Sequence, residues 1–370
     1  MASSRPQVLV DALSVASGGG KSYAINLLRE LEEDDRGFDF TIALPEDALE
    51  DLPSTGARID RVALPAPGNP LRIAGRILYE ELYVPLRGRR FDVVYAVADL
   101  LSPLPTSPTV VALRNLNIYD HTYYGGARLR TLRFLAALGA KRATRTIFPS
   151  QAAADLIGDS LGLSKDRIRI VPHGVDAGAF DPGDPFHSER RYLFLPSAIE
   201  RHKNLETLVE ALPYFSDSSL EVRVAGGWQT DPDYHRMLRE RANELGVGDR
   251  FVTMGPVPYR EIAALYRGAK ALVFPSWLET FGHPILEAMT LETPVVASNI
   301  PAFLEVGGPA AAYFERDDPK DLARAVDELD RDTDAKQERV TTGVARAEQY
   351  SWKNSVDQLC EVLEEAAEAP

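Results

Sequence analysis

The stretch PSWLETFGHPILEAMTLETPVVAS (275–298) runs in order from the end of one strand through an irregular loop and a helix into a second strand. Phe281-Gly282-His283-Pro284 opens the helix, with proline in the first turn, where its missing N–H costs nothing. The first amides of such a helix point back at the loop and carry the positive end of the helix dipole, a cradle for a diphosphate or for sugar oxygens. Glu287 falls about one turn inside, where a carboxylate can accept hydrogen bonds from two neighbouring ribose hydroxyls. Glu279, eight residues earlier in the loop, can grip sugar hydroxyls. Either carboxylate alone reads as a surface residue; together, spaced around Gly282, they read as a ligand site.

Outward from this stretch, short β-branched runs alternate with helical patterns throughout the 370 residues, the mark of parallel strands wound with crossover helices. Strands are expected at 7–13, 38–44, 91–97, 109–114, 145–150 and 167–172, then at 191–197, 220–226, 250–255, 271–276 and 293–298. The segment DAGAFDPGDPFHSE (176–189) reads as a linker, and from Pro319 to Ala369 the pattern is helical, interrupted at Tyr350-Ser351-Trp352. The expected organisation is an N-terminal Rossmann-like domain (1–180), a second one (181–350) and a C-terminal helix (351–370) packing back toward the first, with a ligand cleft between the lobes.

Composition narrows the function. Lys and Arg number 41 against 55 Asp and Glu, a formal charge of −14, which argues against a nucleic-acid binder of the basic kind. Residues 71–150 nevertheless carry a net +7, leaving −21 on the rest of the chain. Arg72, Arg76, Arg87, Arg89, Arg90, Arg128, Arg130 and Arg133 there interleave with Leu, Ile, Phe and Tyr, a pattern that suits an anionic lipid or phosphate and equally a solvated helix face. The single Cys360, the lack of an Asn-x-Ser/Thr sequon and the lack of a long apolar stretch point to a cytoplasmic protein, soluble or peripheral at the inner face of the cell membrane.

The pattern P-S-x-x-E-x-F-G-x-P-x-L-E-A-M resembles the hallmark of family 4 (group 1) retaining glycosyltransferases of the GT-B fold, in which two Rossmann-like doubly wound lobes face a central cleft. The similarity extends to RFVTMGPVPYREIAALYRGAKA (250–271) and to 299–328, and more thinly to Gly18-Gly19-Gly20, Ser150 and VPHGVD (171–176). The resemblance implies that Glu279 lies by the donor sugar, Glu287 holds the nucleotide ribose, and Gly282 and His283, with Phe281 before them, meet sugar and phosphate. It implies further that Lys203 neutralises the diphosphate, that Val257 meets the base and that Gly19 and Gly20 approach the donor phosphate. Where relatives usually place an arginine near that lysine, this chain has Ser197, Ala198 and His202, so Arg201 is the expected substitute. Where many members carry a His-Asp pair, it has Arg114 and Asn115, with His121 as a candidate replacement for the histidine. Thr280 and Glu292 stand where relatives usually have glycine.

Other motifs fail. GGGKS (18–22) would need glycine rather than Val15 to make a phosphate loop. Of the two D-x-D strings, Asp231-Pro232-Asp233 offers Asp231 or Asp233 as a cap for the helix that begins at Tyr234, both it and Asp332-Thr333-Asp334 lie among other acidic residues away from the main motif, and no cofactor or metal is expected. The expected function is sugar transfer from a nucleotide-diphospho-sugar to a glycan or lipid-linked acceptor, in surface-polysaccharide or glycoprotein-glycan assembly. The alternatives are a nucleotide-sugar binding protein without transfer activity, or an epimerase or hydrolase of the same architecture.

Overall fold

The computed structural model describes residues 5–14, 18–33, 36–51, 57–66, 69, 71–102, 104–119, 125–175, 178, 180 and 183–369. His121 and much of the 176–182 segment lie outside the described residues, as does the side chain of Arg128. The chain divides into two compact units, residues 1–174 with 352–370, and residues 175–351.

The first unit is a seven-stranded parallel sheet of β1 (Gln7–Asp11), β2 (Asp39–Pro45), β3 (Arg58–Val62), β4 (Val93–Ala96), β5 (Thr109–Ala112), β6 (Arg145–Phe148) and β7 (Ile168–Ile170). Its order is β3-β2-β1-β4-β5-β6-β7. The second unit has β8 (Tyr192–Leu195), β9 (Glu221–Ala225), β10 (Phe251–Gly255), β11 (Ala271–Phe274), β12 (Val295–Ser298) and β13 (Ala311–Phe314), in the order β10-β9-β8-β11-β12-β13. Both sheets reverse direction once, between β1 and β4 and between β8 and β11, the doubly wound pattern.

Strands covered on both faces must be apolar throughout, and β4, β8, β11 and β12 are buried at every position. These runs were readable in advance. Two strands were not: β3 (RIDRV) carries three charges, which an edge strand tolerates, and β13 (AAYF) is short and alanine-rich, also at an edge.

The helix Trp352–Ala367 presents Val356, Leu359 and Leu363 at helical spacing to the core of the first unit, in one cluster with Tyr23, Leu27 and Leu28 of the helix Gly18–Glu33. Glu365 on the same helix pairs with Arg145 at 3.0 Å and Arg169 at 2.7 Å. In the second unit the core is aromatic around β11, with Phe274 stacked on Phe303 at 4.6 Å and Phe194 edge-on to Tyr266 at 5.1 Å. Glu292 holds the left-handed backbone (φ 56°), a conformation that costs a non-glycine residue about 1–2 kcal/mol.

The loop after β8 is seated by a close backbone approach. A Cβ on Gly226 would lie 2.0 Å from the Ser197 carbonyl oxygen, and the Ile199 amide donates to the Gly227 carbonyl at 2.9 Å. Gly226→Ala is therefore expected to destabilise the protein by about 1–3 kcal/mol, read as a lower denaturation midpoint in urea. An unchanged midpoint would mean that this loop is not held by the contact.

Candidate active site

In a doubly wound sheet the two strands at the reversal send their following segments to opposite faces, and the space at their carboxyl ends stays open. In the second unit those strands are β8 and β11. The turn Arg201–Lys203 follows the first and the loop carrying Glu279 follows the second. A backbone bond joins them, the Trp277 amide donating to the His202 carbonyl at 2.8 Å. Asn204 adds a second tie. Its left-handed backbone (φ 53°) caps the helix Leu205–Ala211, and its side-chain amide donates at 3.2 Å to Asp317, which also accepts from the Trp277 indole.

Between these ties the Lys203 ammonium donates to Glu279 Oε1 at 2.5 Å, and the two side chains are only 17% and 16% exposed. The Ser276 hydroxyl donates to the same oxygen at 3.0 Å, and Lys203 Nζ lies 5.4 Å from the centre of the Phe274 ring. A pair this far out of water is held by mutual attraction against the desolvation of both charges, so removing either partner strands the other.

The helix His283–Thr290 starts at Gly282, whose φ of 123° is closed to L side chains and where a Cβ would lie 3.1 Å from the Phe303 ring. Phe281 is buried, edge-on to His283 at 5.3 Å. Glu287, half-buried, accepts from the Tyr266 hydroxyl at 2.8 Å and from Tyr259 at 3.4 Å, and Tyr266 also donates to the Pro284 carbonyl at 3.2 Å. Burial holds the Glu287 carboxyl above the ordinary carboxylate range, against the opposing pull of the two tyrosine hydroxyls. Val257 follows β10 in a loop beside Gly255 (φ 76°), which bridges to Gly226 and lies against the Trp228 ring. Trp228 stacks on His235 at 4.6 Å.

The structure thus joins Lys203 to Glu279 and ties Glu287 to the first turn of its helix through Tyr266. Arg201 is engaged elsewhere: exposed, it donates to Asp231 at 2.9 Å and lies 5.0 Å from the centre of the Tyr234 ring. Asp231 caps the helix Pro232–Glu244, Asp233 pairs with Arg236 at 2.6 Å, and Asp332 caps the helix Thr333–Ala347. Among the described residues no group of three or more His, Cys, Asp or Glu could hold a metal ion.

In the first unit Gly19 and Gly20 lie in the first turn of the helix after β1. Arg114 lies 3.8 Å from the centre of the Tyr23 ring, and the Tyr23 hydroxyl shares a 2.8 Å hydrogen bond with Tyr95. The amides of Arg114 and Asn115 donate to buried Asp99 at 3.2 and 3.3 Å. Burial raises the Asp99 carboxyl to about 6, against the lowering effect of those amides and of the Arg114 charge. The sequence reading passed over Asp99, Tyr266 and Trp228: a lone acid and two lone aromatics have no spacing that marks them.

Residues 17–178 match the family model Glycosyltransferase Family 4, and residues 180–344 match Glycosyl transferases group 1. The chain is 29% identical over 236 residues to the O-antigen chain mannosyltransferase RfbU of Salmonella typhimurium, covering 62% of this chain and 65% of that protein. It is 29% identical over 245 residues to a D-inositol 3-phosphate glycosyltransferase of Acidothermus cellulolyticus, covering 60% and 54%. The matches therefore span somewhat over half the length of these relatives. The crystal structure of Anabaena HepE in complex with UDP and glucose superposes with a TM-score of 0.74 at 17% identity, over 97% of this chain and 100% of that one. At that identity the likeness establishes the fold, the GT-B architecture of two Rossmann-like lobes.

The raised Glu287 carboxyl has a consequence for the unliganded protein. The native state holds that proton to higher pH than the unfolded chain does, so ionisation subtracts stability as pH climbs from the unfolded-state value through the native one. Glu287→Gln is expected to raise the melting temperature at pH 7, with the gain vanishing below about pH 4, where glutamate is protonated in both states. A loss of stability at pH 7, or an equal gain at both pH values, would contradict the burial argument.

Proposed function

We propose that this chain, whose two halves match the Family 4 and group 1 glycosyltransferase models, moves a sugar with retention from a nucleotide-diphospho-sugar to a glycan or lipid-linked acceptor. The observation that carries this reading is the Lys203–Glu279 pair, assembled from two strands 76 residues apart at the carboxyl ends where the second sheet reverses. Such a pair puts a poorly hydrated cation and a sugar-binding carboxylate side by side beside a helix of known polarity.

In this mechanism Glu287 accepts hydrogen bonds from the ribose hydroxyls, and its tyrosine partners hold the carboxylate ready. Lys203 and the amino end of the helix His283–Thr290 neutralise the diphosphate as it leaves, which lowers the barrier electrostatically. Glu279 holds the donor sugar. The leaving phosphate oxygen takes the acceptor proton, so no protein base is required. The acceptor is assigned to the first unit, where Arg114, Asn115 and Asp99 cluster. Arg201, turned toward Asp231, is assigned at most a distant electrostatic part.

The name of RfbU, an O-antigen chain mannosyltransferase, supports surface-glycan assembly and favours turnover over a binding-only protein, and the UDP and glucose held by HepE accord with a nucleotide-sugar donor. Metal independence is part of the proposal, as is a cytoplasmic location; no helix among the described residues is long and apolar enough to cross a membrane.

Three substitutions separate the roles. By calorimetry, Glu287→Ala should weaken nucleoside diphosphate binding at least about 100-fold, since two charge-assisted hydrogen bonds are lost at about 1.5–3 kcal/mol each. Lys203→Ala should weaken it as well. Glu279→Ala, which frees Lys203 for the diphosphate, should not weaken it and should abolish turnover of the full donor. Equal loss of diphosphate binding in all three variants would remove Glu279 from the sugar, and unchanged binding in the folded Glu287 variant would remove that residue from the ribose. Transfer by the wild type should persist in EDTA; loss with rescue by Mg²⁺ would overturn metal independence.

A further inference from the structure

The first unit carries an apolar surface that its own fold does not use. An unbroken helical run passes from the α-helix Leu71–Leu78 through a π-turn, Tyr79–Tyr83, into Val84–Gly88. The π-turn has a local cause. Pro85 has no N–H to give the Glu81 carbonyl one turn back, and the Ser102 hydroxyl donates to that carbonyl instead, at 3.5 Å.

One face of this run packs inward, Val84 joining Leu9, Leu13 and Val94 in a buried cluster with Tyr79 against it. Ile77 packs with Leu132 and Ala136 of the neighbouring helix Ala127–Arg142. A second apolar face remains. Leu71, Leu78, Leu82 and Leu86 recur at intervals of seven, four and four, a single stripe down a helix, and each is exposed. Leu104 stands exposed on the loop 102–107, which is tied to the same run by hydrogen bonds from Thr106 to the Pro85 carbonyl and from Ser107 to the Gly88 carbonyl at 2.7 Å. Phe134, exposed on the adjacent helix, adds a sixth large apolar side chain; all six are 57–72% exposed.

The charges around the stripe select its partner. Arg72 and Arg87 pair with Asp47 and Asp60 at 2.9 and 2.8 Å, and Arg76 with buried Glu80 at 3.1 Å. Arg89 and Arg90 close the run, exposed and forming no ion pair among the described residues, and Arg130 stands one turn before Phe134 on the same helix. An apolar stripe rimmed by exposed arginines that form no ion pair among the described residues, within a segment of net +7 on a chain otherwise at −21, complements a surface that is apolar below and anionic above.

We propose that helix 71–88, with Leu104 and Phe134, is a docking face for an anionic lipid bilayer, its leucines entering the acyl boundary and Arg89, Arg90 and Arg130 meeting the headgroups. The proposal concerns a surface apart from the donor residues and stands whether or not their assignment holds.

The test is co-sedimentation of the full chain with vesicles of phosphatidylcholine mixed with phosphatidylglycerol, and with vesicles of phosphatidylcholine alone. The wild type is expected to pellet with the mixed vesicles and to release as salt is raised. Arg89→Gln with Arg90→Gln should bind about 30-fold more weakly at low salt, about 5-fold for each arginine, and approach wild type at high salt. Leu78→Ser, Leu82→Ser and Leu86→Ser combined should bind on the order of 100-fold more weakly at any salt. These leucines are already in water, so the variants should keep the wild-type unfolding midpoint. Absence of pelleting by the wild type with mixed vesicles at low salt, or equal pelleting of the leucine variant, would overturn the proposal. So would sedimentation velocity in which the wild type dimerises and the leucine variant does not, which would give the stripe to a second copy of the chain.

Discussion

Parallel strands cannot be joined by a tight turn, and a sheet that grows outward in both directions from its middle must reverse somewhere. In the second unit it reverses between β8 and β11, and the site follows from that topological constraint. Neighbouring strands whose connections wind to opposite faces leave a crevice at their carboxyl ends, and the segments that follow them meet there: Lys203 and His202 from one, Trp277 and Glu279 from the other. The Trp277–His202 backbone bond and the Asn204–Asp317–Trp277 bridge convert that proximity into a fixed distance. Gly226 lets the third strand of the group close on the Ser197 backbone, which seats the loop from below.

The polar groups of this crevice are not arranged for stability. Glu287 is ionisable, half-buried, and supported among the described residues by two neutral hydroxyls, so its charge works against the fold. Lys203 and Glu279 are each largely withdrawn from water and offset that cost chiefly through each other, with the Ser276 hydroxyl as a further donor to the carboxylate. Apolar side chains of similar size would hold the loops together with less penalty. Groups that cost stability on segments leaving the same pair of strands are the expected signature of residues positioned for a ligand.

Much of this was legible in the sequence because burial on both faces forces continuous apolar strands, and because Glu279 and Glu287 sit at a fixed spacing around Gly282 within one local segment. What lies within one segment can be read from one segment. The Lys203–Glu279 pair spans 76 residues and could be expected only through resemblance. Tyr266 and Trp228 reach the site from other elements and leave no local mark. Arg201 was assigned by chain position, whereas its direction is set by Asp231 and Tyr234 on the following helix. The edge strand β3 escaped because an edge relaxes the apolar requirement, and β13 because its alanines carry little strand preference. The helix 71–88 shows the same limit differently: it is apolar on two sides, and periodicity cannot tell which side the fold buries.

The central claim is that the crevice between the ends of β8 and β11 receives the diphosphate of a nucleotide sugar. The most direct measurement is a crystal structure of the chain soaked with a hydrolysis-resistant nucleotide-diphospho-sugar. The account predicts diphosphate density between Lys203 Nζ and the amino end of the helix His283–Thr290, with the ribose hydroxyls on Glu287 and the sugar against Glu279. Well-ordered nucleotide bound elsewhere, with the Lys203–Glu279 pair intact and Glu287 still held only by Tyr266 and Tyr259, would contradict it.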